Sequence, residues 1–196
     1  MDDKGEQVET KDIDVEAARD VFADTEYVET INDVPYYCQG DFADVRFNDG
    51  SVASDGCGIT SFSMVASYFL DKQISPAQSA VWAMENNANT VKSWDSFKIL
   101  ADHYGITFEG QYKGPAWDGS AETIVKALKE GKLVIGSMED GYFDQSGNGH
   151  YIVYTGIDSE GHIYINDPGS RERTTAGSYS QEDALSTCKQ FWIFSK

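Results

Sequence analysis

The stretch at residues 55–61, DGCGITS, places Cys57 between two glycines, where a Gly-, Asp- and Ser-rich loop meets an apolar helical pattern. Apolar residues continue at helical spacing and predict a helix from Cys57 to Leu70. The positive end of a helix dipole stabilises a thiolate, which is the reactive form of cysteine. We therefore predict that Cys57 is a nucleophile. A glycine-flanked cysteine with only a packing role is the alternative.

Beyond this helix the chain changes from helical to strand patterns. Further helices are expected to start at Ser75, Ser93 and Ser120, and the last two to end at Gly105 and Gly131. The predicted strands cover residues 34–37, 133–138, 150–157, 162–167 and 191–194. Helices followed by strands indicate an α+β domain with segregated layers.

A cysteine nucleophile needs a base, and the chain has three histidines. His103 lies in a polar helical stretch and His162 beside a turn, so both are expected to be ordinary surface residues. His150 follows the sequence GNG and opens an apolar strand. A titratable side chain at the edge of a buried strand is typical of a functional position. His150 is the predicted base; a hydrogen-bonded structural histidine is the alternative.

The base needs an orienting group. The sequence DSEG at 158–161 is typical of a hairpin turn, and a two-residue loop would pair residue 152 with residue 167. His150 would then be a diagonal cross-strand neighbour of Asp167, at roughly 7–8 Å. Asp158 would lie about 26 Å along the strand. We predict that Asp167 orients His150. A loop of odd length would break this pairing, and a turn aspartate is the alternative.

An oxyanion donor is the fourth component, because a side-chain amide often adds a hydrogen bond to that of the nucleophile's backbone N–H. Gln39 lies just before the glycine-rich loop that leads to Cys57 and is our candidate. A surface glutamine is the alternative.

Together these motifs resemble those of the bacteriocin-processing (double-glycine) peptidases, and more closely the soluble peptidase-like branch of that papain-like cysteine peptidase family. The motifs are VPYYCQ at 34–39, DGCGITS at 55–61, GHYIV at 149–153 and NDP at 166–168. The resemblance covers about residues 34–195. It implies a papain-like α+β fold, with the nucleophile at a helix start in an N-terminal helical part and a C-terminal antiparallel sheet carrying the histidine and aspartate.

The resemblance also implies roles for the four residues. Cys57 would attack a peptide bond and form an acyl-enzyme, His150 would act as general base and then acid, Asp167 would orient it, and Gln39 would bind the oxyanion. The chain departs from the family in two ways. An Asp- and Gly-rich insertion separates Gln39 from Cys57, and no transporter segment is present. Double-glycine specificity is therefore not assumed.

The acidic N-terminus forms a separate region in our prediction. Residues 1–33 carry half of the net charge of −18 and are interpreted as an extension or linker, with a short helix at 12–28. A propeptide-like lid is the alternative. Residues 34–196 form the predicted peptidase domain.

The net charge disfavours nucleic acid as a partner, and a peptide or protein substrate is expected. No apolar run is long enough to span a membrane. We expect a secreted or cell-surface bacterial protein, with its signal or anchor segment outside this sequence. We expect no cofactor and no metal, since the spacing of Asp41, Asp44 and Asp49 does not match a calcium loop. Cys38 and Cys188 either form a disulfide or stay free; the sequence leaves both open.

Two further functions fit the same residues. A related acyl transfer would make the chain an amidase or transpeptidase acting on peptidoglycan stem peptides. A papain-like binding module without catalytic activity belongs to another class, and it predicts an unreactive Cys57.

Overall fold

The computed structural model describes residues 29–89 and 95–196. The predicted helix at 12–28, most of the acidic extension and Ser93 lie outside the described residues. The division between residues 33 and 34 stays a prediction. Within the described part, residues 30–31, before that division, already pair with residues 34–35.

The predicted helix at Cys57 has the expected bounds. In the described residues, the helices are α1 (Val52–Asp55), α2 (Cys57–Leu70), α3 (Pro76–Glu85), α4 (Ser96–Tyr104), α5 (Ala121–Lys129), α6 (Arg171–Thr175) and α7 (Gln181–Leu185). Two short 3₁₀ helices cover Gln39–Phe42 and Pro115–Trp117. Each of these helices is too short or too polar to cross a membrane.

Local signals explain most helix ends. Ser75 accepts a hydrogen bond from the Gln78 N–H, and the Gln78 side chain accepts one from the Ser75 N–H, which satisfies two N–H groups at the start of α3. The helix expected after Ser93 begins instead at Ser96, following Asp95. It ends at Gly105, whose φ of 71° suits a glycine.

The strands form one large sheet and two small ones. They are β1 (Thr30–Ile31), β2 (Val34–Pro35), β3 (Arg46–Phe47), β4 (Gly50–Ser51), β5 (Thr107–Lys113), β6 (Leu133–Met138), β7 (His150–Ile157), β8 (Ile163–Asn166), β9 (Ser178–Tyr179) and β10 (Cys188–Ser195). The large sheet has the order β5-β10-β6-β7-β8-β9, and all its neighbours are antiparallel. The chain therefore has the predicted α+β class.

Helices cover both faces of this sheet. One core packs α2 and α4 on the sheet around Phe62, whose ring lies 6.4 Å from Phe97 and 6.0 Å from Phe194. The other core packs α5 and α7 on the opposite face. Every residue of β6 is buried, which explains its continuous apolar sequence.

The sequence missed β5 because this strand lies at the sheet edge, is largely exposed and contains Gly110. The strand expected at 162–167 is shorter, Ile163–Asn166, and the one expected at 191–194 is longer, Cys188–Ser195. β7 still starts at His150, and Asp167 directly follows β8.

Candidate active site

Cys57 lies at the start of α2, as the sequence predicts. Gly56 precedes it, and a Cβ atom at Gly56 would lie 2.3 Å from the Val52 carbonyl oxygen, so only glycine fits between α1 and α2. This junction directs the first turn of a 14-residue helix at the thiol. The free N–H groups and the dipole of that turn favour a negative sulfur.

The imidazole of His150 joins Cys57 to Asp167. Its Nε2 lies 2.7 Å from Oδ1 of Asp167, and the ring also hydrogen-bonds the Cys57 side chain. Because Nε2 is engaged by the carboxylate, Nδ1 is the nitrogen that remains for the thiol. The structure thus brings together the three side chains that the sequence placed in one site.

The electrostatics of this group favour a protonated imidazole. Burial lowers the pKa of His150, but the hydrogen bonds and charges of Asp167 and Cys57 outweigh burial and raise this pKa to about 10. A proton held on the imidazole and a negative sulfur stabilise each other. The imidazole of His150 is therefore protonated at neutral pH in the folded state.

Asp167 is completely buried, and both carboxylate oxygens have partners. Oδ1 accepts hydrogen bonds from His150 and from the Gly169 N–H, and Oδ2 accepts one from Arg173 Nε at 2.6 Å. A Cβ atom at Gly169 would lie 3.0 Å from Cε1 of His150, so a side chain there would crowd the ring. No sequence motif predicts the role of Arg173, a basic residue six positions after the aspartate.

The backbone of Asp167 is held as firmly as its side chain. Its N–H donates to Oγ1 of Thr174 at 2.8 Å, and its carbonyl oxygen accepts from the Tyr36 hydroxyl at 2.9 Å. Tyr36 belongs to the VPYYCQ motif, so that motif supports the aspartate as well as leading to Gln39.

Gln39 lies between the aspartate loop and the chain leading to Cys57. Its N–H donates to the Pro168 carbonyl oxygen, and its Nε2 donates to the Ala53 carbonyl oxygen, each at 2.8 Å. The long insertion folds into the β3–β4 hairpin and α1, and so returns the chain to Gln39. One N–H of the side-chain amide remains for another acceptor. Oε1 is buried and has no hydrogen-bond partner among the described residues.

The predicted loop length between β7 and β8 was wrong, whereas the predicted pairing of the two strands near His150 was right. The ladder closes at Ile157 and Ile163, leaving a five-residue loop at 158–162 rather than two residues. The pairing then shifts by one residue between Tyr154 and Gly156. This irregularity restores the pairing of Val153 with Asn166, and hence the predicted alignment of His150 with Asp167.

The loop before His150 contains a second feature that the sequence analysis missed. The carboxylate of Asp144 is 2% exposed and accepts four hydrogen bonds within the loop. Two come from the N–H and hydroxyl of Ser146, and the others from the N–H groups of Gly147 and Gly149. Burial raises the pKa of Asp144, but these hydrogen bonds outweigh it and lower the pKa. Asp144 thereby fixes the backbone that delivers His150.

The other candidates lie outside this group. His103 stacks on Trp82 at 3.8 Å, and His162 lies in the β7–β8 turn. Cys38 and Cys188 are free thiols, and burial raises the pKa of Cys188 to about 11.

One trio in the described residues has the spacing of metal ligands. Asp158, Glu160 and His162 place their ligand atoms within 4.8 Å of one another in the β7–β8 turn. Asp158 already accepts hydrogen bonds from the backbone N–H groups of both other residues. Asp41, Asp44 and Asp49 do not form such a group.

The mixed helix and sheet fold fits that of a papain-like cysteine peptidase. The chain belongs to the Peptidase_C39 like family, whose model matches residues 31–194. A crystal structure of a C39-like peptidase candidate from Bacillus anthracis has a similar fold, with a TM-score of 0.55 and 15% sequence identity. That similarity covers 86% of this chain and 98% of the other. No curated protein matches the chain.

The charged state of His150 is directly measurable. We expect its imidazole to titrate near pH 10 in an NMR experiment, and Asp167→Asn to move this titration to lower pH because the carboxylate charge is lost. The stability that this pairing contributes is fully present below about pH 6.5 and is lost as the pH rises through about 10. His103→Gln and His162→Gln assign the remaining signals. A His150 titration near pH 6.5 in the unaltered protein contradicts this expectation.

Asp144 can be tested as the residue that positions the loop. We expect Asp144→Ala to lower the free energy of unfolding by about 1–3 kcal/mol, because several N–H groups lose a charged acceptor. The loss should vanish as the pH falls through the native pKa of Asp144, since a protonated carboxyl accepts less well. Asp140→Ala, an exposed acid in the same loop, is the matched control. Equal stability of both variants argues against this role.

Proposed function

We propose that this protein is a cysteine peptidase that cleaves a peptide bond through a thioester acyl-enzyme. Cys57 is the nucleophile, His150 the general base and then acid, and Asp167 the group that orients His150. The contact of His150 with both Cys57 and Asp167 is the observation that supports this most directly.

The proposed reaction starts from a Cys57 thiolate beside a protonated His150. The thiolate of Cys57 attacks the carbonyl carbon, a C–S bond forms, and the carbonyl electrons move onto oxygen. When the carbonyl re-forms, the C–N bond breaks and the leaving amine takes the proton from His150. A water molecule then gives a proton to the neutral imidazole and attacks the thioester. The acid product leaves, and the proton stays on His150 beside a restored thiolate.

The oxyanion needs donors at the start of α2. The backbone N–H of Cys57 supplies one, and the N–H of Gln39 that Ala53 does not use supplies the second. The hydrogen bond to Ala53 holds the amide in one orientation, since exchanging its nitrogen and oxygen would set two oxygens against each other. Gln39 is therefore preorganised for an acceptor in the cleft.

Asp167 acts mainly by fixing the imidazole. Its hydrogen bond selects the tautomer in which Nδ1 faces sulfur, and its charge keeps the imidazole protonated. Arg173 compensates part of that charge and holds the second carboxylate oxygen away from the ring. Both oxygens of the buried carboxylate thus have hydrogen-bond partners, which offsets the cost of burying it.

The acyl-enzyme leaves the final acceptor open. Transfer to an amine of a peptidoglycan stem peptide would give transpeptidation, and mass spectrometry of muropeptide incubations separates this from hydrolysis. The cleaved sequence is not assumed to be a double glycine. We also propose that the protein acts at the surface of, or outside, a bacterial cell, which fractionation of the source cells would test.

Cys57 should be far more reactive than the other thiols. We expect a peptidyl electrophile to label Cys57 at pH 7, and His150→Ala to slow the labelling strongly because thiolate formation loses its counter-charge. Cys57→Ala should lower hydrolysis of a fluorogenic peptide library by about 10³-fold or more. Cys38→Ala is the matched control and should retain activity.

Two outcomes would overturn the proposal. Hydrolysis that persists in Cys57→Ala would place the activity elsewhere. An unreactive Cys57 together with undiminished peptide binding would indicate an inactive binding module instead.

A further inference from the structure

The sheet face that packs against α2 changes from apolar to polar beside Cys57. Cross-strand register defines two successive rows on this face. The inner row is apolar and buried: Val153, Ile135 and Trp192. The outer row, two residues further along each strand, is polar: Tyr151, Ser137, Gln190 and Lys113. The sheet face thus becomes polar towards the strand ends nearest to Cys57, although Ser137 and Gln190 are buried.

The outer row begins next to the nucleophile. The ring of Tyr151 lies 3.4 Å from the position that a Cβ atom on Gly58 would take. Burial first, and then the nearby Cys57, raise the pKa of Tyr151 to about 12, so its hydroxyl stays protonated. The same hydroxyl hydrogen-bonds Ser137. The polar row therefore reaches the first turn of α2 through the packing of Tyr151 against Gly58.

An extra residue interrupts β10 at this end of the sheet. Cys188 pairs with Met138 and Gln190 with Ser137, so Lys189 has no partner in β6. Such an irregularity turns a side chain out of the regular pleat. The Lys189 carbonyl oxygen accepts a hydrogen bond from the Gly114 N–H at 2.9 Å, which fixes the bulged backbone.

The bulge directs Lys189 to the residue beside the candidate base. Its Nζ lies 3.5 Å from the point that a Cβ atom on Gly149 would occupy, and Gly149 immediately precedes His150. The φ of Gly149 is 91°, which a residue with a side chain rarely adopts. A side chain is therefore disfavoured at position 149, next to the ammonium group.

Lys189 is half-buried. No carboxylate in residues 29–89 and 95–196 lies within 4.0 Å of its ammonium. The neighbouring carboxylate of Asp144 is already taken by the N–H groups of its own loop. A partly desolvated ammonium gains most from an anionic partner, which a ligand bound beside Gly149 can supply.

We infer that Lys189 binds a carboxylate of the peptide substrate, so that this peptidase prefers an acidic group close to the cleaved bond. This inference rests on the proposed function and adds a substrate class to it. The carboxylate is either that of an Asp or Glu side chain or the free C-terminus of a short peptide. Tyr151, Ser137 and Gln190 form the polar row on the neighbouring strands.

The negative net charge of the chain opposes the binding of acidic peptides, so a preference for them must come from a short-range contact. A net charge of −18 repels acidic peptides at long range. Selection must then come from one contact, whose strength is greatest where water is partly excluded. The preference should therefore weaken as ionic strength rises, because the outer side of the contact is screened.

The test uses fluorogenic peptide pairs that differ only by Asp or Asn at each position around the cleaved bond. We expect the full-length protein to cleave the Asp member of one pair about tenfold better, equivalent to about 1.4 kcal/mol. Lys189→Gln should abolish this preference, Lys189→Glu should reverse it, and Lys189→Arg should retain it. Lys72→Gln, which removes an exposed lysine after α2, is the matched control.

A second pair separates the two sources of the carboxylate. Peptides with a free or an amidated C-terminus report on the terminal carboxylate alone. Preference for the free acid, lost in Lys189→Gln, assigns the contact to the terminus. Preference for an internal Asp in amidated peptides assigns it to a side chain.

The outcomes distinguish this inference from the proposed function. Cys57-dependent cleavage with no Asp preference, or with one unchanged in Lys189→Gln, overturns the role of Lys189 and leaves the peptidase intact. If no peptide is cleaved, binding of the same pairs to Cys57→Ala and to Cys57→Ala/Lys189→Gln is measured by fluorescence anisotropy. Equal affinities for Asp and Asn peptides then overturn the inference.

Discussion

The buried carboxylate of Asp167 is the interaction on which the rest of the site depends. Four separate parts of the chain meet at this residue: β7 through His150, α6 through Arg173 and Thr174, the segment after β2 through Tyr36, and its own loop through Gly169. Burying a charge is costly unless it is fully compensated. The hydrogen bonds that compensate for burying Asp167 come from the same groups that shape the site, among them His150 and Arg173. The contacts that stabilise the fold here therefore also set the geometry of the site.

The nucleophile depends on a different constraint, the junction of two helices. Gly56 allows α1 to run directly into α2, and the insertion before it brings Ala53 back to Gln39. The imidazole then couples this junction to the sheet. The N-terminal helices pack on the sheet through an apolar core, and the contact between thiol and imidazole joins the same two layers. A polar row of the sheet continues outward from this contact.

Much of this could be predicted from sequence, and the reasons are specific. The helix at Cys57 and the strand at His150 have strong periodic patterns and clear starts. Ser75 with Pro76 is a cap whose chemistry is local. Arg173, Asp144 and Lys189 could not be predicted, because each acts through loop geometry or a bulge that leaves no periodic signal. The alignment of His150 with Asp167 was predicted correctly, although the predicted turn was too short. A one-residue register shift in the strands, which no sequence pattern reveals, compensates for the longer loop.

That shift at Thr155 has a consequence for how the hairpin tolerates change. A strand pair with an uninterrupted ladder transmits every inserted residue to its far end, turning each side chain to the opposite face. In this hairpin the register shift separates the pairing near the outer turn from the pairing at the inner end, where His150 and Asp167 lie. The outer turn can then differ in length and charge among related chains while the imidazole and the carboxylate keep their mutual alignment.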